Sequence, residues 1–286
     1  MQLRHEGIHL KKAFFSICFV CIFLMAGCSV QAKNESVQPS FDLKYKTYAY
    51  AYEIEYKVEE NTLYARGKNN LHFFDVEEYT LQTQWTKLAE NVVHVDATGS
   101  AVIYLTENGE LYGMGELTGG VLQTEDISDF ALDNVIAEPK LLMTNCKYAA
   151  IGIRFAVAVK EDNTLWFWGE SLNGQSTEVF EKTLEPIRIA ENIQFADAFL
   201  YTTAWVDEKG DLYLVGDNSF GQIGNGHKGS GFPTLYEDIV TTPYCALKNC
   251  TAFTVVDKNY GIVQATDADG AIYEWGNNQN TTPARV

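Results

Sequence analysis

The chain has 286 residues, of which 46% are hydrophobic and 13% aromatic, so it is long and apolar enough to bury a substantial core. Its formal net charge is −17 at pH 7. This charge disfavours binding to nucleic acid or to an anionic bilayer surface, because both need cationic patches. The sequence contains no compact basic cluster that would argue otherwise.

The first 27 residues have the features of an export signal. Residues 13–24 form an apolar run, which is shorter than the roughly 20 residues that span a bilayer. Three basic residues precede this run: Arg4, Lys11 and Lys12. The run ends at Met25-Ala26-Gly27-Cys28, which resembles the lipobox of bacterial lipoproteins, although Met25 stands where Leu is usual. The resemblance implies cleavage before Cys28 and lipidation of that residue. The alternative is an ordinary signal peptide or an uncleaved anchor with an incidental Cys.

Residues 28–40 are polar and show no periodicity, so we interpret them as a flexible tether after a lipidated Cys28. Stable anchoring of a protein to a membrane takes two or more membrane-binding signals, and several acyl chains on one Cys would supply them. We therefore expect the protein at the cell membrane, on its extracytoplasmic face. Residues 41–286 would form the folded domain, and loss of the leader would bring the net charge to −19.

One short pattern occurs five times in the remaining chain. It consists of a turn residue, any residue, Leu or Ile, Tyr or Trp, two further residues and Gly. The final glycines of the five copies are Gly67, Gly115, Gly169, Gly216 and Gly276. Consecutive glycines are 48, 54, 47 and 60 residues apart. The turn residue is always Asn or Gly, which suits a hairpin position with positive φ. A period near 50 residues with about four short strands is typical of a propeller blade. We therefore predict an all-β propeller with five blades; a β-sandwich with accidental similarity is disfavoured by five matches in register.

A second repeat position bears on the cysteines. Asn91, Asn145, Asn192 and Asn249 each precede an apolar residue. Cys146 and Cys250 follow two of these Asn residues, where Val and Ile stand in other repeats, so we predict buried thiols. An exported location would permit disulfides, and a Cys245–Cys250 pair remains an open alternative.

The repeat resembles that of the regulator of chromosome condensation (RCC) family, in which Pro-x-x-Val precedes Gly-x-Leu-Tyr/Trp-x-Trp-Gly-x-Asn-x-x-Gly-Gln. The fullest copies are Leu165–Gly169 followed by Asn173-Gly174-Gln175, Leu212–Gly216 followed by residues 217–224, and Ile272–Asn277. The copies at Leu63 and Leu111 are degenerate after their Gly. The resemblance covers about residues 41–286 and implies a β-propeller. The family usually closes with seven blades, whereas five are found here.

The ends of the chain suggest how a ring of five could close. Pro139, Pro186, Pro243 and Pro283 are each predicted to open a short apolar strand, and Trp85 occupies that place in one repeat. Residues 282–286 would then begin a sixth unit and complete the first blade, which would remove a free edge. A compact five-bladed ring is our expectation; an open arc or a ring with an unrecognised blade are the alternatives.

Few residues suggest chemistry. His72, His94 and His227 occupy non-corresponding repeat positions without metal-ligand spacing, so no structural zinc is expected. Asp267-Ala268-Asp269-Gly270 looks like the start of a calcium loop, but the hairpin turn explains it, and no distal Glu follows. We expect no metal, no cofactor and no catalytic residue.

Two stretches interrupt the period, residues 121–138 and 225–242, and insertions in repeat folds often lie on a binding face. Three aromatic residues outside the repeat register, Phe220, Phe232 and Tyr236, are therefore the candidates for partner contact. We predict a non-enzymatic module that binds a protein, peptide or glycan. The alternative is a glycan-acting hydrolase or lyase that uses carboxylates facing the central channel.

Overall fold

A computed structural model describes residues 41–99, 101–125, 134–257 and 261–286. These residues belong to one compact unit, residues 38–286. The predicted leader, Cys28 and the whole predicted tether (residues 28–40) lie outside the described residues. Within the described ranges, no helix has the length and apolar character needed to cross a bilayer. The one helical element there is a 3₁₀ turn at Tyr236–Asp238.

The described residues contain twenty strands in five antiparallel four-stranded sheets. Blade 1 consists of β1 (Tyr48–Ala51), β2 (Ile54–Glu59), β3 (Thr62–Lys68) and β4 (Leu81–Glu90). Blade 2 consists of β5 (Val92–Thr98), β6 (Ala101–Thr106), β7 (Leu111–Glu116) and β8 (Val135–Met143). Blade 3 consists of β9 (Cys146–Gly152), β10 (Phe155–Lys160), β11 (Leu165–Ser171) and β12 (Phe180–Ala190). Blade 4 consists of β13 (Ile193–Phe199), β14 (Thr202–Asp207), β15 (Leu212–Asp217) and β16 (Ile239–Leu247). Blade 5 consists of β17 (Cys250–Asp257), β18 (Ile262–Asp267), β19 (Ile272–Gly276) and β20 (Asn280–Arg285). The predicted five-bladed propeller is confirmed.

The predicted closure by the C-terminal strand is wrong. β20 pairs with β19 and is the outer strand of blade 5, while blade 1 is complete without it. The proline-containing segments thus end a blade instead of opening one, and their strands begin before the proline. An outer strand accepts proline because one of its edges has no hydrogen-bonded neighbour.

The repeat glycine exists because two backbones approach closely. Gly216 has a φ of +113°, and a Cβ on it would lie 2.3 Å from the carbonyl oxygen of Tyr201 in the turn after β13. The equivalent glycines have φ values of +100° to +140°. In three of them a Cβ would lie within 2.1–2.5 Å of a backbone oxygen: Gly67, Gly169 and Gly276. Only glycine, which has no Cβ, fits where the two backbones approach this closely. This explains why a glycine recurs at this position of the repeat.

The propeller has two distinct faces, which we name by their connections. On the hairpin face, the turns between second and third strands bond to the turns that join consecutive blades, as in Cys250 N to Gly210 O (2.6 Å) and Glu208 N to Asn192 O (2.8 Å). The turn residues predicted to need positive φ do have it, for example Asn163 (+64°) and Gly210 (+84°). The opposite loop face carries the long connections between third and fourth strands. There Asp217 N donates to Tyr201 O (2.9 Å).

Consecutive blades share hydrophobic cores. One cluster joins blades 1 and 2, a second joins blades 2 and 3, and a third joins blades 3, 4 and 5. Cys146 and Cys250 are buried in these clusters as free thiols, which confirms that prediction, and Cys245 is a half-buried free thiol.

The outward faces of blades 1 and 5 differ from these cores. On blade 5, Gln264 pairs with Glu274 in the same register as the buried Val157 and Phe167 of blade 3. On blade 1, the face turned away from blade 2 carries an Arg66–Glu55 ion pair. No hydrophobic cluster among the described residues joins blade 5 to blade 1. Polar outer faces are typical of terminal repeats.

A segment that the sequence did not reveal lies along the axis. Residues 41–47, here called the axial segment, contact the first strands of four blades. The Phe41 ring stacks on Phe195 of blade 4 at 4.5 Å, and Asp42 N donates to Thr251 O of blade 5 (2.9 Å). Tyr45 stacks on Tyr148 of blade 3 at 6.4 Å. The segment therefore connects blades that are distant in sequence.

Lys46 is the centre of this arrangement. Its Nζ lies 2.9 Å from Asp96 Oδ2 in blade 2 and 2.8 Å from Asp197 Oδ1 in blade 4. Both carboxylates are buried, and the Lys46 side chain is 26% exposed. Burial disfavours the ammonium charge, but Asp197 and Asp96 outweigh this and raise the pKa of Lys46 well above its ordinary value. The backbone of Lys46 is also fixed, because its N–H donates to His94 Nδ1 (2.9 Å).

We predict that Lys46→Met lowers the free energy of unfolding by about 3 kcal/mol, because two buried carboxylates lose their cation. Urea unfolding monitored by fluorescence measures this loss. Lys44→Met is the matched control, since the Lys44 side chain is 80% exposed and its replacement should leave stability nearly unchanged. Equal effects of the two variants would contradict the bridging role of Lys46.

We predict that Gly216→Ala lowers the free energy of unfolding by about 3 kcal/mol, because positive φ and the contact with Tyr201 O act together. Gly270→Ala separates the two causes. Gly270 also has positive φ (+79°), but a Cβ there meets nothing within 4 Å, so the expected cost is about 1 kcal/mol. Similar costs for both variants in urea unfolding would argue against the backbone crossing.

Candidate functional site

The connection between β15 and β16, residues 218–238, carries all three predicted partner-binding residues on the loop face. Phe232 and Tyr236 are 86% and 87% exposed. Phe220 is half-buried in a turn against blade 5, where its carbonyl accepts a hydrogen bond from Asn278 N (2.7 Å). The structure therefore presents two of the three side chains to solvent and places the third at a junction between blades.

The carboxylate of Asp238 organises the second part of this connection, residues 225–238, which we call the aromatic loop. Asp238 Oδ2 accepts from Ser230 N (3.2 Å), from the Ser230 hydroxyl and from Leu235 N (3.3 Å). Asp238 Oδ1 lies 2.8 Å from His227 Nε2. One buried side chain thus ties three points of the loop together. The sequence-based boundary was four residues too long, because β16 begins at Ile239.

These bonds determine how the loop responds to pH. Burial alone would raise the pKa of Asp238, but hydrogen bonds from Ser230 and His227 outweigh burial and hold the pKa below its usual value. A carboxyl with a lowered pKa stabilises the folded state above its unfolded pKa of about 3.9. Its contribution disappears as the pH falls through the still lower folded value. The loop is therefore fully supported at neutral pH.

The aromatic loop is also bonded to the neighbouring blade. Gly229 N donates to Asn278 Oδ1 (2.9 Å), and Gly226 N donates to Thr281 O (2.8 Å). Gly231 N donates to Ser219 O (2.8 Å) within blade 4. The backbone that carries Phe232 is thus held on both sides, so the exposed ring projects from a fixed support.

A groove of about 760 Å³ lies beside Phe232, between the long connections of blades 3 and 4. Leu172, Val179 and Phe180 supply apolar surface from blade 3. The groove also contains Arg154, whose guanidinium donates two hydrogen bonds to the buried carboxylate of Glu170. Leu172 and Val179 were not predicted from the sequence, although both are apolar residues in a connection where polar turn residues are usual.

Two carboxylates do converge near the axis, as the alternative of a glycan-acting enzyme requires. They are Asp96 and Asp197, and both pair with Lys46. Asp96 also accepts from Ala97 N (3.1 Å), and Asp197 accepts from Ala198 N (2.9 Å). A carboxylate that a lysine holds ionised is poorly suited to act as the general acid that such an enzyme needs. The arrangement therefore favours a structural role for this pair.

Other candidate groups are engaged in turns or cores. Asp267 Oδ1 accepts from Asp269 N and Ala271 N at 2.9 Å each, as expected of a hairpin turn. Across the described ranges, no three His, Cys, Asp or Glu side chains form a group able to hold a metal ion. Burial raises the pKa of the Cys146 and Cys250 thiols to about 12, which keeps them protonated and unreactive at neutral pH.

No protein-family model matches the sequence. Among solved structures, the chain is similar to human WBSCR16, with a TM-score of 0.59 and 17% identity over 82% of this chain and 65% of that one. It is also similar to yeast RCC1 (Prp20) bound to Kap60, with a TM-score of 0.63 and 19% identity over 82% of this chain and 59% of that one. A structure of Prp20p from Saccharomyces cerevisiae has a TM-score of 0.59 and 20% identity over 80% of this chain and 56% of that one.

The chain therefore spans about 56–65% of the length of these proteins. At such identities the likeness concerns the fold. It agrees with the repeat pattern and with the five four-stranded sheets. The protein has the β-propeller fold of RCC1-type proteins.

Proposed function

We propose that this propeller is a non-enzymatic module that binds a protein through its loop face, at the aromatic loop and the adjoining groove. The observation that carries the proposal is the pair of fully presented rings, Phe232 and Tyr236, on a loop fixed by the buried Asp238. Exposed aromatic side chains are enriched in the centres of protein interfaces.

The rigidity of the loop strengthens this proposal. A surface that must order itself on binding loses part of its interaction free energy, whereas a surface held in advance does not. The aromatic loop has bonds to blade 4, to blade 5 and within itself. Phe232 can therefore engage a partner at little cost in conformational entropy.

The groove supplies the complementary part of the interface. A partner that covers Phe232 would also cover Leu172 and Val179, both of which are exposed in the free protein. The Arg154–Glu170 pair lies in the same groove and can form polar contacts around this apolar centre. An apolar centre with a polar rim is the usual composition of a specific protein interface.

The similar proteins fit this class of function. Yeast RCC1 (Prp20) was solved bound to Kap60, and a second study of Prp20p concerns its binding to Gsp1p and histones. We propose protein binding for this chain on the same architecture, with a different partner because the mature chain is strongly acidic. The lipid anchor at Cys28 and the extracytoplasmic location are part of the proposal and rest on the leader alone.

We predict that Phe232→Ala and Tyr236→Ala each weaken partner binding about 30-fold, because each removes an exposed anchor of the interface. A photo-reactive amino acid at position 237 first identifies the partner by cross-linking. The purified partner is then titrated calorimetrically against each variant.

Tyr50→Ala is the control for these variants, since Tyr50 is 61% exposed on blade 1, away from the aromatic loop. Its affinity should equal that of the wild type. Unchanged binding by both loop variants, or a loss confined to Tyr50→Ala, would place the interface elsewhere.

We predict that Asp238→Asn weakens the same binding about tenfold while leaving both rings in place, because an amide cannot accept all the hydrogen bonds of the carboxylate. Hydrogen exchange at residues 226–237 should become faster. Glu237→Gln is the matched control, because Glu237 is an exposed neighbour. Faster exchange without weaker binding would show that the order of the loop does not contribute to affinity.

A further inference from the structure

A cleft of about 310 Å³ lies between the axial segment and blade 5, and no residue of the aromatic loop lines it. Its volume falls at the lower end of the range for small-molecule sites. One wall is aromatic, formed by Phe41 and Tyr45 with Phe195 and Tyr148 behind them. The other wall is polar and belongs to blade 5, where the lining residues include Thr254, Gln264 and Thr266.

The polar wall differs from its counterparts in the other blades. Gln264 and Thr266 occupy the strand positions held by the buried Val157 and Val159 in blade 3. In blade 4 the same positions hold Ala204 and Val206, also buried. Blade 5 thus places an amide and a hydroxyl at positions that serve as core elsewhere. Gln264 Nε2 donates to Glu274 Oε2 (3.2 Å), which fixes the amide on the sheet.

The charges of the cleft favour a neutral ligand over an ionic one. Lys46 is paired with Asp197 and Asp96, and Lys44 lies 2.8 Å from Asp42. Each charged side chain of the lining thus has a partner of opposite sign. A ligand that matches this cleft is neutral, presents hydroxyl groups to one wall and lays a C–H face on the aromatic rings of the other. Aromatic ring faces carry partial negative charge and attract such C–H groups.

We propose that the axial cleft binds a neutral pyranose sugar, stacked on Tyr45 and hydrogen-bonded to Gln264 and Thr266. A pyranose has both required features, a C–H face and a rim of hydroxyl groups. This site is independent of the protein interface on the loop face, because the two share no residue.

Saturation-transfer NMR on the folded protein tests this site. The probes are the methyl β-glycosides of glucose, galactose and N-acetylglucosamine. At least one should bind, and Tyr45→Ala should abolish its signal. The double variant Gln264→Val, Thr266→Val, which restores the residues of blade 3, should weaken binding at least tenfold. Tyr50→Ala should bind as the wild type does, and thermal melts verify that each variant is folded.

Binding of no probe, or equal binding by the Gln264→Val, Thr266→Val variant, would overturn the proposal. Sedimentation with insoluble polysaccharides then separates two sources of the same chemistry. Co-sedimentation that depends on Gln264 and Thr266 identifies a glycan polymer. Glycoside binding without co-sedimentation identifies a free sugar or a chain end.

Discussion

The crossing of two backbones at the repeat glycine is the constraint on which the propeller depends. In blades 1, 3, 4 and 5 the end of the third strand passes so close to the turn after the first strand that a side chain has no room, as the 2.3 Å approach at Gly216 shows. This contact brings the beginning of the loop connection to the same place in these four blades. The connection that carries the aromatic loop therefore starts from a fixed point after Gly216, and hydrogen bonds within residues 225–238 determine the path of the loop itself.

The axial segment adds contacts that the blades alone do not provide. Neighbouring blades pack through apolar cores, but blades 2 and 4 are not neighbours, and Lys46 links them through Asp96 and Asp197. The same segment separates the axis into an ion-paired part and an aromatic cleft. The axial segment, which precedes the first strand, thus links the inner strands of separate blades. It also forms the aromatic wall of the cleft, opposite the wall that blade 5 provides.

Much of the fold was readable from the sequence because its causes are local. Positive φ at Asn163 and Gly210 and the crowding at Gly216 restrict single residues, so they leave a pattern. The site was readable only in part. Phe232 and Tyr236 stood outside the repeat register, whereas the role of Asp238 depends on Ser230, eight residues away in a loop without periodicity. The bridging role of Lys46 could not be predicted from the sequence, since its partners lie 50 and 151 residues further along the chain.

The polar outer faces of blades 1 and 5 have a consequence for self-association. Blade-to-blade packing is heterologous, so apolar surfaces at both ends would let one molecule stack onto the next without limit, as in a fibre. The Arg66–Glu55 pair at one end and Gln264 with Glu274 at the other make such stacking costly, because burial would desolvate these groups. Polar outer faces on the terminal blades therefore disfavour stacking of one molecule onto the next.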